Sequence, residues 1–473
     1  MGSLLAAQER MRRGETTAEA LLEESLGQVE AREGDLHAFL TLLPEDALAA
    51  ARQSDARRAR GAAMGPLDGI PWAAKDNLLT EGVRTTAASR ILGDYLPPYS
   101  ATAVRRLEAQ GAVLVGKANL DEFAMGSSTE YSAFGPSRNP VDPGRVPGGS
   151  SGGSAVAVAA GMCHFALGSE TGGSVRQPAA FCGVVGLKPS YGRVSRYGLI
   201  AFASSLDQIG TLTRDVRDAA VVLAGIAGED PFDQTSSASP VPDYLAAVEA
   251  GGRGLSFGVP PEYLAQGVAP EVRDEVERAA GLLERRGLRR REVSLPHTSY
   301  ALDAYYIIAP AEASSNLARF DGMRYGPRAD GPDLVQAYRQ SRGQGFGREV
   351  KRRILLGTYV LSAGYYDAYY LQAQRLRTVL RDEFLRAFAE VDVLLTPTTP
   401  TTAFRFGENT ADPLAMYMAD ALTIPANLAG LPAISVPGRP AGGLPVGLQV
   451  MAPPLREDVL LQAAAELEEA VRP

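Results

Sequence analysis

The chain has 473 residues, 45% of them hydrophobic, which is ample for a large buried core. Its formal charge of -8 argues against broad direct contact with a phosphate backbone, which needs clustered Lys and Arg, though not against a partner that handles nucleic acid. No apolar run nears the length of a membrane span and the stretch to Arg10 turns charged without a signal-peptide core, so a cytoplasmic protein without membrane contact is expected.

Length alone would allow about three domains. No Gly/Ser tract, Pro-rich run, charge block or internal repeat divides the chain, so residues 1–473 are read as one domain. Cys163 and Cys182 form no CxxC or zinc spacing and read as small buried hydrophobes. His37, His164 and His297 are scattered, and no metal cluster is expected.

In chain order, residues 1–60 read as helices. Thr16 and Glu19 form a capping box ahead of Leu21, Leu22 and Leu26, and a second helix covers Glu45 to Arg58. Gly69 to Lys75 is a short extended run. Ser100 is expected to cap a helix carrying Val104 and Leu107 that stops at Gly111. Ala112 to Val115 reads as a buried strand and Ser154 to Gly161 as a small-residue helix. Leu255 to Val259 is a strand, followed by a helix whose face carries Val272, Val276, Ala279 and Leu283 and which Gly287 closes. Tyr300 to Phe388 is long, helical and tyrosine-rich, an insertion with a polar, mobile loop from Gly326 to Gly347. Its tyrosines commonly pack with hydroxyls at the surface, but a helical lid is also where selectivity can reside. Val391 to Leu395, Ala433 to Val436 and Val446 to Met451 are strands, and Asp458 to Leu467 is a closing helix. Such alternation implies an α/β layered fold with a mixed sheet.

Two glycine-rich segments stand out. Pro147-Gly148-Gly149-Ser150-Ser151-Gly152-Gly153-Ser154 is followed by Glu170-Thr171-Gly172-Gly173-Ser174-Val175-Arg176. Glycine at this density lets main-chain N–H groups approach a ligand closely, and hydroxyls among them fit a nucleophile beside an oxyanion hole. A phosphate loop is disfavoured because GxxxxGK[ST] is absent. Gly148 to Gly152 matches G-x-S-x-G, but a nucleophile elbow needs a preceding strand and a later His in a supportive setting, and both are missing. One such cluster could be an incidental turn; two make that reading weak.

The combination of Gly69-Ile70-Pro71 with Lys75-Asp76-Asn77, the Gly148–Ser154 run, and Gly172-Gly173-Ser174 with Arg176 resembles the amidase signature family. The 24-position step from Ser150 to Ser174 is similar to that family as well. The resemblance implies an amidase signature fold: a central mixed sheet flanked by helices, with residues of about 300–388 inserted over the active site. It also implies that Ser174 is the acyl-forming nucleophile, Ser150 a bridging serine after a cis peptide at Gly149–Ser150, and Lys75 the base. A lysine can serve so only if burial lowers its pKa toward neutrality. The N–H groups of Thr171, Gly172, Gly173 and Ser174 would then face the oxyanion.

The triad does not choose the amide. The segments Tyr305–Gly322, Glu349–Gly357 and Asp420–Gly430 resemble the glutamine-using subunits of the tRNA-dependent amidotransferases. That likeness implies that Arg353 grips the α-carboxylate of glutamine and Asp420 its α-ammonium, with Tyr305 lining the pocket and Ser127 and Ser128 opposite. It also implies the amidotransferase B and C subunits as partners in a heterotrimer. ATP and Mg would sit on the B partner, which holds the misacylated tRNA and receives the ammonia. No cofactor is expected on this chain. The alternative is a free-standing amidase of small amides.

Overall fold

The computed structural model describes residues 2–265 and 267–472; Met1, Gln266 and Pro473 lie outside the described residues. Among the described residues, eleven strands make one sheet. They are β1 (Phe39–Leu42), β2 (Pro71–Lys75), β3 (Val113–Ala118), β4 (Phe165–Glu170), β5 (Val185–Lys188) and β6 (Gln208–Thr213), then β7 (Ser256–Gly258), β8 (Arg289–Arg291), β9 (Val393–Pro397), β10 (Ala433–Pro437) and β11 (Gly447–Met451). Their order across the sheet is β1-β3-β2-β4-β6-β5-β10-β11-β9-β7-β8. β2 runs parallel to both β3 and β4, whereas the centre from β4 to β9 is antiparallel, so the sheet is mixed. Helices cover it on both sides, as expected for α/β layers.

β2 and β4 are buried along their whole length. The main core joins them to the helices Gly152–Ala159, Val216–Ile226, Pro270–Arg285 and Glu457–Val471. The segment after residue 300 builds a second core. There Ala304, Tyr305, Ile308 and Val350 pack on Ile91, Phe123, Phe202 and Leu206. That core hangs the helices Ala301–Asn316, Arg348–Val360 and Leu371–Ala387 over one end of the sheet.

Several local expectations change. The residue that caps the helix Ala18–Leu36 is Thr17, whose hydroxyl accepts from the Ala20 amide at 3.0 Å, one position after Thr16. Ser100 caps no helix: its hydroxyl accepts from the Glu81 amide, and the helix Thr102–Glu108 starts from Ala101. The stretch Gly326–Gly347 is not all loop, because Leu334–Gly345 is a helix capped by Asp333. Its polar face concealed a short stripe of Ala337, Ser341 and Gly345 that is buried. Of the insertion's tyrosines, Tyr305 is buried whereas Tyr359, Tyr365, Tyr366 and Tyr369 are exposed.

Candidate active site

Lys75 is the last residue of β2, and Glu170 is the last residue of β4. Because these strands are parallel neighbours, their carboxyl ends open at the same edge of the sheet, where open α/β sheets commonly hold ligands. Lys75 is wholly buried. Its Nζ lies 2.7 Å from Ser150 Oγ, 2.8 Å from Ser151 Oγ and 3.1 Å from the Ser169 carbonyl. Burial pushes its pKa down to about 7, against the opposing pull of Asp121, Asp207 and Glu170. A neutral amine has two N–H donors and one lone pair. Among three oxygen neighbours it therefore donates twice and keeps a lone pair for one hydroxyl proton.

Ser150 follows a cis peptide at Gly149. A hydrogen-bonded frame surrounds that peptide. The Gly149 amide donates to Gln177 Oε1 at 2.9 Å, and the Thr129 hydroxyl donates to the Gly148 carbonyl at 2.6 Å. Asp121 gathers the amides of Ser128, Thr129 and Tyr131, and its own amide donates to the Ser150 carbonyl. Gly148 needs its glycine, since its φ is +84°.

Ser174 sits in the turn between β4 and the helix Arg176–Cys182. Its carbonyl accepts from the Ser151 amide at 3.0 Å, which ties the two glycine-rich segments together. Glu170 closes the turn from below: Oε2 accepts the amides of Val175 and Arg176, and Oε1 pairs with the buried Arg176 guanidinium. Thr171 donates its hydroxyl to Asp207 at 2.7 Å. Among the described residues, the amides of Gly172, Gly173 and Ser174 donate to no protein acceptor. Three free donors thus stand beside a hydroxyl, the arrangement an oxyanion requires.

The other candidates converge on this turn. A Cβ at Gly172 would lie 2.8 Å from Tyr305 Cζ, and one at Gly173 would lie 2.8 Å from Asp420 Oδ1. Asp420 Oδ2 accepts from the Ser127 hydroxyl, while Oδ1 is buried with no hydrogen-bond partner. Burial pushes the Asp420 carboxyl up to about 7. Of three adjacent bases, Lys351 is exposed and Arg352 half-buried, whereas Arg353 is buried. Arg353 donates Nε to Glu349 at 2.8 Å, and its guanidinium packs over Phe202, Tyr306 and Tyr417. Tyr306 in turn meets Tyr305 edge to face at 5.0 Å. Ser128 is placed differently. Its hydroxyl accepts from the Glu130 amide and supports the turn that presents Ser127.

The sequence did not single out Ser151, Asp121, Glu349 or Tyr417. Ser151 adjoins Ser150 and could have been named on that ground. The others act through contacts made only by folding. No helix among the described residues is long and apolar enough to cross a membrane, and no group of His, Cys, Asp and Glu is placed to hold a metal.

Comparison with known proteins gives one consistent picture. Residues 20–461 match the Amidase family. The A subunit of glutamyl-tRNA(Gln) amidotransferase from Moorella thermoacetica is 60% identical over 460 residues, covering 97% of this chain and 94% of that protein. The corresponding A subunit from Anaeromyxobacter dehalogenans is 58% identical over 96% of this chain and 93% of its own. Among solved structures, the A subunit of glutamyl-tRNA(Gln) amidotransferase from Thermotoga maritima is 47% identical, with a TM-score of 0.79, covering 94% of this chain and 90% of its own. The peptide amidase of Stenotrophomonas maltophilia has a TM-score of 0.84 at 33% identity, over 99% of this chain and 97% of its own.

Proposed function

The chain belongs to the Amidase family, and we propose that it is the glutaminase subunit of a tRNA-dependent amidotransferase. The observation that carries this reading is a buried carboxyl at the Ser174 turn together with a buried guanidinium that acts on it. Asp420 keeps an unpartnered Oδ1 there, and Arg353, buried on the helix Arg348–Val360, is near enough for its charge to lower the Asp420 pKa. An α-amino acid brings one ammonium and one carboxylate to such a pair. A simple fatty or aryl amide leaves both charges unmatched. The near-identical length and high identity of the amidotransferase relatives favour the same substrate.

In this mechanism neutral Lys75 takes the Ser150 hydroxyl proton as Ser150 takes that of Ser174. Ser174 Oγ attacks the side-chain carbonyl carbon of glutamine, and the oxygen becomes an oxyanion held by the free amides of the turn. Loss of one such donor costs about 3–4 kcal/mol. The C–N bond then breaks, and the proton returns through Ser150 to the leaving nitrogen, which departs as ammonia. Water enters by the same relay, cleaves the acyl ester and releases glutamate.

The ammonia serves a partner in the cytoplasm. The B partner, with ATP and Mg, activates the misacylated Glu-tRNA(Gln) or Asp-tRNA(Asn) and accepts the ammonia, and the C partner completes the heterotrimer. The test is Ser174→Ala in the assembled complex. Glutamine-driven amidation is lost and ammonium-driven amidation is retained. Loss of both in a folded complex sinks the role given to Ser174.

A further inference from the structure

Arg353 is not a free cation. Glu349, one helical turn earlier, accepts its Nε at 2.8 Å, the Arg352 Nη1 at 2.5 Å and the Tyr417 hydroxyl at 2.8 Å. One carboxylate shared by two guanidiniums leaves the cluster a net positive charge. Because Nε is the atom engaged, the Nη pair of Arg353 stays available for a bidentate carboxylate. Tyr417 has a second attachment. Its ring stacks on Tyr306 at 3.9 Å and 21°, and both rings lie beside the Arg353 guanidinium. A third runs through the backbone, where the Asp420 amide donates to the Tyr417 carbonyl at 3.2 Å. Tyr417 therefore touches the anchor of Arg353 by its hydroxyl and the segment carrying Asp420 by its main chain.

We infer that Tyr417 and Glu349 are positioning residues that set the separation and orientation of Arg353 and Asp420, and so select an α-amino acid amide over amides lacking the carboxylate. This rests on the glutaminase reading above. A long arginine side chain gives up about 2 kcal/mol of rotamer entropy when ordered. Holding it before substrate arrives moves that cost from binding to folding.

The test uses the full-length chain in its assembled complex and two substrates, glutamine and 4-aminobutyramide, which is glutamine without its α-carboxylate. Tyr417→Phe keeps the ring and removes the hydroxyl. It raises KM for glutamine by about tenfold, the loss of one hydrogen bond to a charged group. It leaves kcat for glutamine, and kcat/KM for 4-aminobutyramide, little changed. Glu349→Gln gives a larger shift of the same kind, and thermal melting of both variants reports whether they fold. Equal losses on both substrates, or an unmoved glutamine KM in folded protein, overturn the inference. A parent enzyme that does not prefer glutamine to 4-aminobutyramide is a separate outcome. It sinks the reading of Arg353 as the carboxylate site, and this inference with it.

Discussion

Lys75 and Ser150 meet at 2.7 Å, and neither side chain reaches solvent. The contact draws its chemistry from that burial. An exposed lysine would be fully charged at neutral pH and would have no lone pair to offer. The parallel pairing of β2 with β4 encloses the amine, and the cost of keeping a charge there lowers its pKa to about 7.

A pH dependence of rate follows. The base form of Lys75 accumulates as pH rises through about 7, so kcat/KM for glutamine hydrolysis has an ascending limb there. Lys75→Met removes the limb together with about 10²–10⁴-fold of the rate, the range for positioned proton transfer. Initial rates across buffered pH check it. A flat parent profile through neutrality would remove Lys75 as the base.

Stability moves in a related way. The unfolded lysine titrates near 10.4, whereas the folded one titrates near 7. Between those values the folded state binds fewer protons than the unfolded state, so stability rises with pH across that window. Below it, the penalty is present in full. Lys75→Met should therefore stabilise the fold at pH 7 by on the order of a few kcal/mol, less the lost hydrogen bonds. That gain shrinks as pH climbs toward about 10. Urea unfolding at three pH values reads it, and a gain that is independent of pH would contradict the assignment.

The turn before Ser174 has no room for methyl groups. Gly172→Ala would press a Cβ to 2.8 Å from the Tyr305 ring, and Gly173→Ala would press one to 2.8 Å from Asp420 Oδ1. Each variant shifts amides that are to hold the oxyanion, so glutamine turnover falls by about 10²-fold or more. Gly27→Ala is the control. Its Cβ meets nothing within 4 Å in the helix Ala18–Leu36, so activity is unchanged and stability rises by about 1 kcal/mol or less. Steady-state kinetics with melting curves separate the cases; near-parent turnover in both loop variants would refute the crowding argument.

The strands recognised in the sequence were the apolar ones: β2, β3, β7, β9, β10 and β11 lie within a few residues of their expected positions. The apolar run of β4 stops after Phe165-Ala166-Leu167, β6 is interrupted by Gly and Thr, and β8 is Arg289-Arg290-Arg291, so none of them carries a hydrophobic pattern along its length. They exist because neighbouring strands complete their hydrogen bonds, and in β4 and β6 because layers above and below bury them. Ser100 and the Leu334–Gly345 helix mislead for a similar reason. A hydroxyl or a polar face has several local uses, and the partner that decides among them is distant in sequence.

By itself, the sequence determined which groups the chemistry has to work with. Glycine density, two serines at a set interval and one lysine after an apolar run are covalent facts, and they limit the backbone paths and the nucleophiles available. Tertiary structure decided what those groups can do. It lowered the lysine toward neutrality, turned Arg353 rather than Lys351 or Arg352 inward, left Asp420 with an unpartnered oxygen, and joined the two through Tyr417. A pKa, a desolvated charge and a distance between opposite charges all depend on what surrounds a group. Those surroundings come from chain segments 68 to 293 residues apart that only folding brings together.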